Sequence, residues 1–276
     1  MTFIKEVLEN VRIKKPLVHN ITNYVTVNDC ANMILAIGGS PIMADDILEV
    51  EEITSICKAL VINIGTLNSR TVEAMIIAGK TANKLNIPVI LDPVGAGASK
   101  FRTSTTLRLL KEIKFTVIRG NISEIKTLAF GTSSTIGVDA NESDKVTGDN
   151  LREVIDFSKK LSKETGAVIA ITGATDIISS ENQSYLIKNG NEYMSRITGT
   201  GCMLSSIIGA LCGANKENPL YATTVAVAAM GLCGELAYEK VIERKEGTGS
   251  FKVYLIDSMS NLNYKTLEGG INVESK

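Results

Sequence analysis

Residues 197–204, Ile-Thr-Gly-Thr-Gly-Cys-Met-Leu, have the composition of an anion-binding helix start. A turn of Gly199, Thr200 and Gly201 leads directly into an apolar helix. The first N–H groups of a helix have no partner within it, and the helix dipole adds positive charge there, so this end can bind a phosphate. Short glycine motifs are weak evidence, and the tripeptide alone favours an ordinary helix start by about two to one.

Cys202 lies in the first turn of the same predicted helix. A thiol at a helix N-terminus has a lowered pKa, because the positive end of the helix favours the thiolate. The sequence therefore predicts a reactive thiol at this position. The competing interpretation is a buried cysteine without a chemical role.

Polar sequence also follows four apolar segments that have the character of buried strands, ending at Asn63, Asp92, Arg119 and Thr172. In open parallel sheets, ligands bind beyond the carboxyl ends of the strands. Ordinary strand–helix turns also favour Gly, Asn and Asp, which explains any one of these segments. Asp92, Arg119 and Glu124 together are harder to explain by turn chemistry alone.

Other classes of site are excluded. Gly95-Ala96-Gly97 follows a strand, but Lys100 stands where the dinucleotide fingerprint needs a third glycine. No Walker A sequence occurs, which excludes a P-loop kinase. His19 is the single histidine, so a multi-histidine metal site is excluded, and we expect His19 to be a structural residue with satisfied hydrogen bonds.

The composition narrows the class of protein further. The chain has 276 residues, a formal net charge of -1 and no basic stripe, which argues against nucleic acid as a partner. Five scattered cysteines without a C-x-x-C pair predict reduced thiols and a cytoplasmic protein.

The N-terminus does not have the pattern of a signal peptide. Residues 223–233 are apolar but too short to span a bilayer, so they predict a core helix and no membrane partner.

Amphipathic helices alternate with apolar strands over most of the chain. Helices are predicted at 4–11, 24–37, 47–58, 69–85, 103–113, 123–130 and 150–164, and strands at 41–44, 59–65, 88–93, 115–120 and 167–172. This alternation predicts an α/β fold with a mostly parallel central sheet and helices on both faces. Thr22 or Asn23 is predicted to cap the helix at 24–37, which Gly38 ends.

Three further segments complete the predicted organisation. Within residues 176–187, the apolar segments 177–178 and 185–187 flank a polar turn and predict an antiparallel hairpin at a sheet edge. The chain after Gly199 is predicted to be mainly helical. Residues 131–150 are rich in Ser, Thr, Asp and Gly and predict a loop or flap, since the βα pattern resumes after them. We therefore expect one domain over residues 1–276.

Five segments together resemble the hydroxyethylthiazole kinases, a branch of the ribokinase-like fold: residues 18–23, 40–43, 92–98, 119–124 and 198–203. Their order and spacing are more specific than any one segment. The resemblance implies a single-domain, ribokinase-like layered fold. It also implies that the chain transfers a phosphoryl group from ATP, with Mg²⁺, to the hydroxyl of 5-(2-hydroxyethyl)-4-methylthiazole, in thiamine biosynthesis or salvage.

The resemblance also implies substrate and nucleotide contacts. Asn23, Met43 and Gly199 would bind the thiazole. Arg119 and Thr172 would bind ATP.

The same resemblance implies the groups near the transferred phosphoryl group. Thr200, Gly201 and Cys202 would form an anion hole. Asp92 and Glu124 would serve the metal, with Asn121 supporting them as part of an Asn-x-x-Glu element.

One position separates the branches of this fold. Most ribokinase-like kinases carry an aspartate base where this chain has Cys202, whereas the thiazole kinases resemble this chain in carrying cysteine. Cys202 is therefore the expected acceptor of the substrate proton. The resemblance further implies a homotrimer with its active sites at the subunit interfaces.

Three other functions remain open at this point. They are a hydroxymethylpyrimidine kinase, an ATP-dependent NAD(P)H-hydrate dehydratase, and a nucleotide-binding sensor without turnover. The first two are expected to carry aspartate at position 202, and Cys202 argues against both. The segment at 18–23 also argues against the pyrimidine kinase.

Overall fold

The structure is a computed structural model that describes residues 3–130 and 150–276. These residues form one nine-stranded sheet in the order β2-β1-β3-β4-β5-β6-β7-β8-β9. The strands are β1 (Leu17–Ile21), β2 (Ser40–Ile42), β3 (Ala59–Asn63), β4 (Val89–Asp92), β5 (Val117–Gly120), β6 (Val168–Ile171), β7 (Asp176–Ser179), β8 (Ser184–Ile187) and β9 (Val273–Ser275). The first six strands in the sheet order are parallel, so the predicted mostly parallel sheet is confirmed.

Helices cover both faces of this sheet, as predicted. Apolar side chains of α1, α2, α8, α9, α10 and α11 pack on one face, and those of α3 to α7 pack on the other. The helices are α1 (Phe3–Lys14), α2 (Val27–Ile37), α3 (Val50–Ile56), α4 (Ser69–Lys84), α5 (Lys100–Glu112), α6 (Ile122–Phe130), α7 (Leu151–Thr165), α8 (Thr200–Ala214), α9 (Pro219–Arg244), α10 (Thr248–Asn261) and α11 (Tyr264–Gly270).

The predicted hairpin is present as β7 and β8, which pair antiparallel to each other. Two strands were missed. β1 carries His19 and Asn20 within an otherwise apolar run, which hides its strand pattern, and β9 is a three-residue strand that pairs with β8 at the sheet edge. The predicted loop at 131–150 falls outside the described residues except for Asn150.

The start of α2 differs from the prediction. The helix begins at Val27 with Thr26 as its N-cap, so a cap at Thr22 or Asn23 is wrong. The side-chain oxygen of Asn23 accepts hydrogen bonds from the backbone N–H and the hydroxyl of Thr26, at 3.1 and 3.0 Å. These bonds hold residues 24–26 in a turn before the helix. Gly38 ends α2 in the left-handed conformation, as predicted.

The apolar helix α9 lies inside the fold. It has 26 residues and is the one helix in the described part of the chain that is long and apolar enough to cross a membrane. The prediction that this stretch is too short was therefore wrong. However, 78% of its most apolar window is buried within the protein, so the predicted core helix is confirmed.

Helix α8 lies very close to the central strands, and this position determines where its N-terminus sits. A Cβ atom added at Gly209 would be 2.5 Å from Val61 Cγ2 and 3.2 Å from Val18 Cγ1. A glycine at this contact therefore lets the helix backbone approach β1 and β3 closely. The first turn of α8 consequently lies over the carboxyl ends of the same strands.

Candidate active site at the carboxyl edge of the sheet

Three polar side chains lie at or one residue before the carboxyl ends of neighbouring strands. The sheet register pairs Asn63 of β3 with Asp92 of β4, and continues from β4 to β5 so that Arg119 follows in the same row. Side chains alternate between the faces of a strand, and Val61, Ile90 and Val117 pack on the α8 face. The row of Asn63, Asp92 and Arg119 therefore lies between the sheet and α8.

Asp92 is fully buried in the centre of this row. Its Oδ2 accepts hydrogen bonds from Asn63 Nδ2 and from the hydroxyl of Ser205 on α8, each at 2.8 Å. Its Oδ1 lies 3.6 Å from Arg119 Nη1 and has no hydrogen-bond partner among the described residues. Burial raises the pKa of Asp92, while Arg119, Ser205 and Asn63 oppose that rise.

The thiol of Cys202 lies beside the row. Asn23 Nδ2 and Asn63 Nδ2 donate hydrogen bonds to its sulfur at 3.2 and 3.3 Å. Burial, and then the nearby carboxylate of Asp92, raises the pKa of Cys202 to about 11. The predicted lowering of this pKa is wrong, because burial and a neighbouring negative charge outweigh the helix position. At pH 7 only about one thiol in ten thousand is then ionised.

The residues that the resemblance assigns to the thiazole begin just after β1. Asn23 is buried and donates to Asn63 Oδ1 at 3.0 Å in addition to its contact with Cys202. Met43 follows β2, which pairs in parallel with β1, so Met43 and Asn23 lie at the same edge of the sheet. Gly199 joins this group, because a Cβ atom there would be 2.4 Å from Thr26 Cγ2.

His19 is a structural residue, as the sequence indicated. Its two ring nitrogens lie 2.9 Å from Thr54 Oγ1 and 2.7 Å from the carbonyl oxygen of Ala44. A carbonyl can only accept, so Nε2 carries the proton and Nδ1 accepts from Thr54. Burial lowers the pKa of His19, which keeps the ring neutral. The imidazole thus links β1, α3 and the segment that carries Met43.

The first turn of α8 packs directly against Arg119. Gly199 is the N-cap with φ of 90°, and Thr200 is the first helical residue. A Cβ atom added at Gly201 would be only 2.5 Å from Arg119 Nη1. The guanidinium therefore lies against the main chain at the helix start, where a side chain at position 201 would collide with it.

The guanidinium of Arg119 is also held from β6. Its Nη2 donates to Thr172 Oγ1 at 2.6 Å, which brings the two predicted ATP residues together. The turn after Thr172 is tied by Asp176, whose Oδ1 accepts from the N–H of Gly173 at 2.9 Å. Arg119 thus contacts β4 through Asp92 and β6 through Thr172.

Asn121 and Glu124 form a capping box at the start of α6. Asn121 Oδ1 accepts from the N–H of Glu124, and Glu124 Oε2 accepts from the N–H of Asn121, both at 2.8 Å. Glu124 Oε1 accepts from the N–H of Gly95 at 2.8 Å and so joins the ends of β4 and β5. Burial, and then the charge of Asp92, raises the pKa of Glu124 to about 7.

A family model described as the hydroxyethylthiazole kinase family matches residues 8–265. The chain belongs to this family. A hydroxyethylthiazole kinase from Clostridium acetobutylicum is 61% identical to it over 272 residues, covering 99% of both chains. The family expected from the five segments is therefore confirmed.

Solved structures agree on the fold of this thiazole kinase family member. A hydroxyethylthiazole kinase protein from Pyrococcus horikoshii OT3 matches with a TM-score of 0.87 and 37% identity, covering 100% of both chains. A ribokinase-like superfamily protein from Enterococcus faecalis matches with a TM-score of 0.59 at 12% identity, covering 93% of this chain and 95% of the other. The second likeness shows the fold alone, and the predicted ribokinase-like class is confirmed.

Three residues of the site were not predicted in this role. Asn63 stands at a predicted strand end, where the sequence alone fits either a ligand site or an ordinary turn. Ser205 lies three residues after Cys202, on the side of α8 that faces the sheet, and only the fold reveals its contact with Asp92. Asp176 begins β7, where its burial depends on tertiary packing.

The oxygen donors of this thiazole kinase family member fit Mg²⁺. In proteins Mg²⁺ prefers oxygen ligands and is commonly held by one or two carboxylates together with substrate phosphates. Asp92 Oδ1 is a buried oxygen without a hydrogen-bond partner in the described part of the chain, and Glu124 lies in the first turn of α6, directly after the neighbouring strand β5. Over residues 3–130 and 150–276, no three His, Cys, Asp or Glu side chains cluster to hold a metal alone. Nucleotide phosphates would complete the ligand shell.

Asp176→Asn should reduce the pH dependence of unfolding. Burial raises the pKa of Asp176 from an ordinary 3.8 to about 7. The folded protein therefore retains a proton that the unfolded chain releases, and the free energy of unfolding falls as pH rises through this window. Asparagine keeps the acceptor for Gly173 but cannot ionise. Between about pH 4.5 and 8 the parent should lose on the order of 3 kcal/mol more than the variant.

Urea titrations at both pH values and at one fixed protein concentration measure this difference. Equal losses in the parent and the variant would show that Asp176 titrates at its ordinary pKa.

Proposed function

We propose that this chain transfers the γ-phosphate of ATP to the hydroxyl of 5-(2-hydroxyethyl)-4-methylthiazole, in thiamine biosynthesis or salvage. The observation that carries the proposal is the thiol of Cys202. It lies at the N-terminus of α8, held by the amides of Asn23 and Asn63, beside the buried carboxylate of Asp92. In a hydroxyethylthiazole kinase family member this arrangement suits phosphorylation of a small alcohol.

The proposed thiazole pocket is lined by Asn23, Met43 and Gly199. Asn23 is held at both ends of its amide, by Thr26 on one side and by Asn63 on the other. His19 fixes the carbonyl of Ala44, the residue after Met43. These bonds support a pocket whose wall is rigid before the substrate arrives, which lowers the entropy lost on binding.

The proposed nucleotide site uses Arg119 and Thr172, with Thr200, Gly201 and Cys202 forming the anion hole. Phosphoryl transfer passes through a loose transition state, so positioning and electrostatic stabilisation supply most of the catalysis. The first backbone amides of α8 point outward and have no partner within the helix. Together with the guanidinium of Arg119 they would stabilise negative charge on the phosphoryl oxygens.

Asp92 and Glu124 are the proposed metal residues, with Asn121 supporting Glu124 through the capping box. Bound Mg²⁺ would neutralise charge on the phosphates of ATP. A cation close to two buried carboxyls also favours their ionised forms, so it offsets the raised pKa of each.

Cys202 is the proposed acceptor of the hydroxyl proton. In a loose transition state the attacking oxygen needs little activation before the phosphoryl group arrives, so a weak base is sufficient. Only the thiolate can accept this proton and become the thiol. With a pKa of about 11 the thiolate is a minor form at pH 7, and the two amide donors would stabilise it. This supports a helpful rather than an indispensable base.

The proposed assembly is a cytoplasmic homotrimer of one-domain subunits spanning residues 1–276. Strands from Leu17 to Ser275 belong to one sheet, which supports a single domain. Large apolar side chains that follow Asn23 and Met43 in the sequence are exposed: Tyr24 is 78% and Leu48, five residues after Met43, is 88% exposed. Exposed apolar surface is typical of a protein interface, and a neighbouring subunit that covers these side chains would lie near the thiazole pocket.

Release of ADP should require the thiazole alcohol, ATP and Mg²⁺ together. A coupled assay that omits each component in turn measures this, and EDTA should abolish turnover. Hydroxymethylpyrimidine and hydrated NADH are the competing substrates. Turnover of either one in place of the thiazole would overturn the proposal, and nucleotide binding without any turnover would indicate a sensor.

Cys202→Ala should lower kcat by roughly ten- to a hundredfold, the low end for a general base, with little change in KM. Cys202→Asp should be at least as active as the parent at pH 7, because the Asn23 and Asn63 amides can donate to a carboxylate. Cys233→Ala is the matched control, since Cys233 is a buried thiol in α9 away from the site. Full activity of Cys202→Ala would show that the thiol only packs. No recovery with Asp after loss with Ala would rule out proton acceptance as its role.

Leu48→Asp should shift the sedimentation coefficient from a trimer toward smaller species and lower activity at the same subunit concentration, because a charge there opposes apolar contact. Ile13→Asp is the control. Ile13 is 75% exposed in the last turn of α1, just before the amino end of β1, whereas the proposed pocket lies at the carboxyl ends of the strands. A fully active parent monomer at assay concentration would contradict the proposed assembly.

A further inference from the structure

The side chain of Asn63 contacts three different parts of the site. Its Oδ1 accepts from Asn23 Nδ2 at 3.0 Å and from the N–H of Gly65 at 2.9 Å. Its Nδ2 donates to Asp92 Oδ2 at 2.8 Å and to Cys202 Sγ at 3.3 Å. A carboxamide has two donors and an oxygen with two lone pairs. All four positions of this amide are therefore used.

These partners fix the orientation of the amide. The N–H of Gly65 is a donor, so it must face the oxygen of Asn63, and the nitrogen must then face Asp92 and Cys202. A flipped amide would oppose donor to donor at Gly65 and acceptor to acceptor at Asp92. Asn63 is only 2% exposed, so water cannot supply the missing bonds.

The orientation has a consequence for each neighbour. Together with Ser205, Asn63 occupies Asp92 Oδ2 and leaves Oδ1 facing Arg119. Its second N–H holds the sulfur of Cys202 in place at the helix start. Its oxygen holds the amide of Asn23, the residue proposed for the thiazole pocket. One side chain thus sets the relative positions of the thiol, the acid and the pocket wall.

We propose that Asn63 is a positioning residue that couples Cys202 and Asp92, holding both in the arrangement that phosphoryl transfer requires. The proposal rests on the kinase function proposed above. Asn63 acts through Cys202 and Asp92 and not on the substrate itself. Its two N–H donors serve the chemical step, and its oxygen serves the thiazole pocket.

Asn63→Asp separates these two halves of the side chain. Aspartate keeps the acceptor for Asn23 and Gly65 but cannot donate to Asp92 and Cys202 together, because at most one proton is shared between the two neighbouring acids. Displacing a reacting group by about 1 Å can cost a hundredfold, so kcat should fall by about thirtyfold or more. The KM for the thiazole and the KM for ATP should each stay within about threefold. A kcat within threefold of the parent would overturn the proposal.

Asn63→Ser provides a second variant without an added charge, and it decides the question if Asn63→Asp does not fold. A hydroxyl has a single donor, so it cannot serve Asp92 and Cys202 together. It is also too short to reach Asn23 as the amide does. In this variant kcat should fall by about tenfold, and the KM for the thiazole should rise, because the pocket wall is released. Unchanged kcat and KM would count against the coupling.

Asn20→Ser is the matched control. Asn20 has the same residue type and the same 2% exposure, and it lies on the neighbouring strand β1. Its oxygen accepts from Ser206, and its amide nitrogen has no partner among the described residues. Losing a buried carboxamide there should lower the Tm but leave kcat within about threefold. An equal fall in kcat for both Ser variants would assign the effect at Asn63 to general loss of packing.

A double-variant cycle tests the route through the thiol. In the Cys202→Ala background one donor of Asn63 has lost its partner, so adding Asn63→Asp should cost several-fold less than it does in the parent. Additive effects would show that Asn63 does not act through Cys202. A parent that lacks thiazole kinase activity would instead refute the proposed function, which separates the two failures.

Discussion

The burial of the Asp92 carboxylate is the constraint around which the site is organised. A carboxylate removed from water is destabilised unless charge and hydrogen bonds replace its hydration. Here Arg119 supplies the charge, while Asn63 and Ser205 supply the hydrogen bonds to one oxygen. These partners come from β5, β3 and α8, so the carboxylate is satisfied only when the register of the sheet and the seating of α8 are both correct.

The close contact between α8 and the sheet meets this requirement. Gly209 lets the helix backbone approach Val61, and Ser205, one turn earlier, then reaches Asp92. The first turn of the helix is thereby placed over the strand ends. Packing in the apolar core and the geometry of the polar site are consequently parts of one arrangement, and a shift of α8 would disturb both.

The sequence predicted the fold well where its patterns are local. The buried strands β3, β4 and β5 end in Asn, Asp and Gly, and the apolar strand β6 is followed by Thr172 and Gly173. Gly38 ends α2 as such glycines commonly do. β1 was missed because His19 and Asn20 interrupt its apolar pattern. The hydrogen-bond partners of both side chains lie in segments distant in the sequence. The start of α2 was placed too early because the Asn23 side chain, although well suited to capping, holds a turn instead.

For the candidate site, the sequence identified residue types at strand ends but not their surroundings. Asp92, Arg119, Thr172 and Cys202 come together as expected, since parallel strands end at one edge. The pKa of Cys202 could not be derived from its helix position, because burial and the charge of Asp92 raise it and both depend on contacts distant in the chain. The role of Asn63 was hidden for the same reason, since four hydrogen bonds to separate segments cannot be inferred from one asparagine after a strand.

The position of Arg119 against Gly201 bears on how the proposed nucleotide site would receive a phosphate. The guanidinium is already largely withdrawn from solvent, held by Thr172 and facing Asp92. Its desolvation cost is therefore incurred once, during folding, rather than each time a phosphate binds. A phosphate bound at the helix start, as proposed, would meet dipoles and a charge that are already fixed in direction, so little reorganisation energy would remain. Burial of the guanidinium thus lowers the stability of the fold, but it leaves the charge oriented before any anion binds.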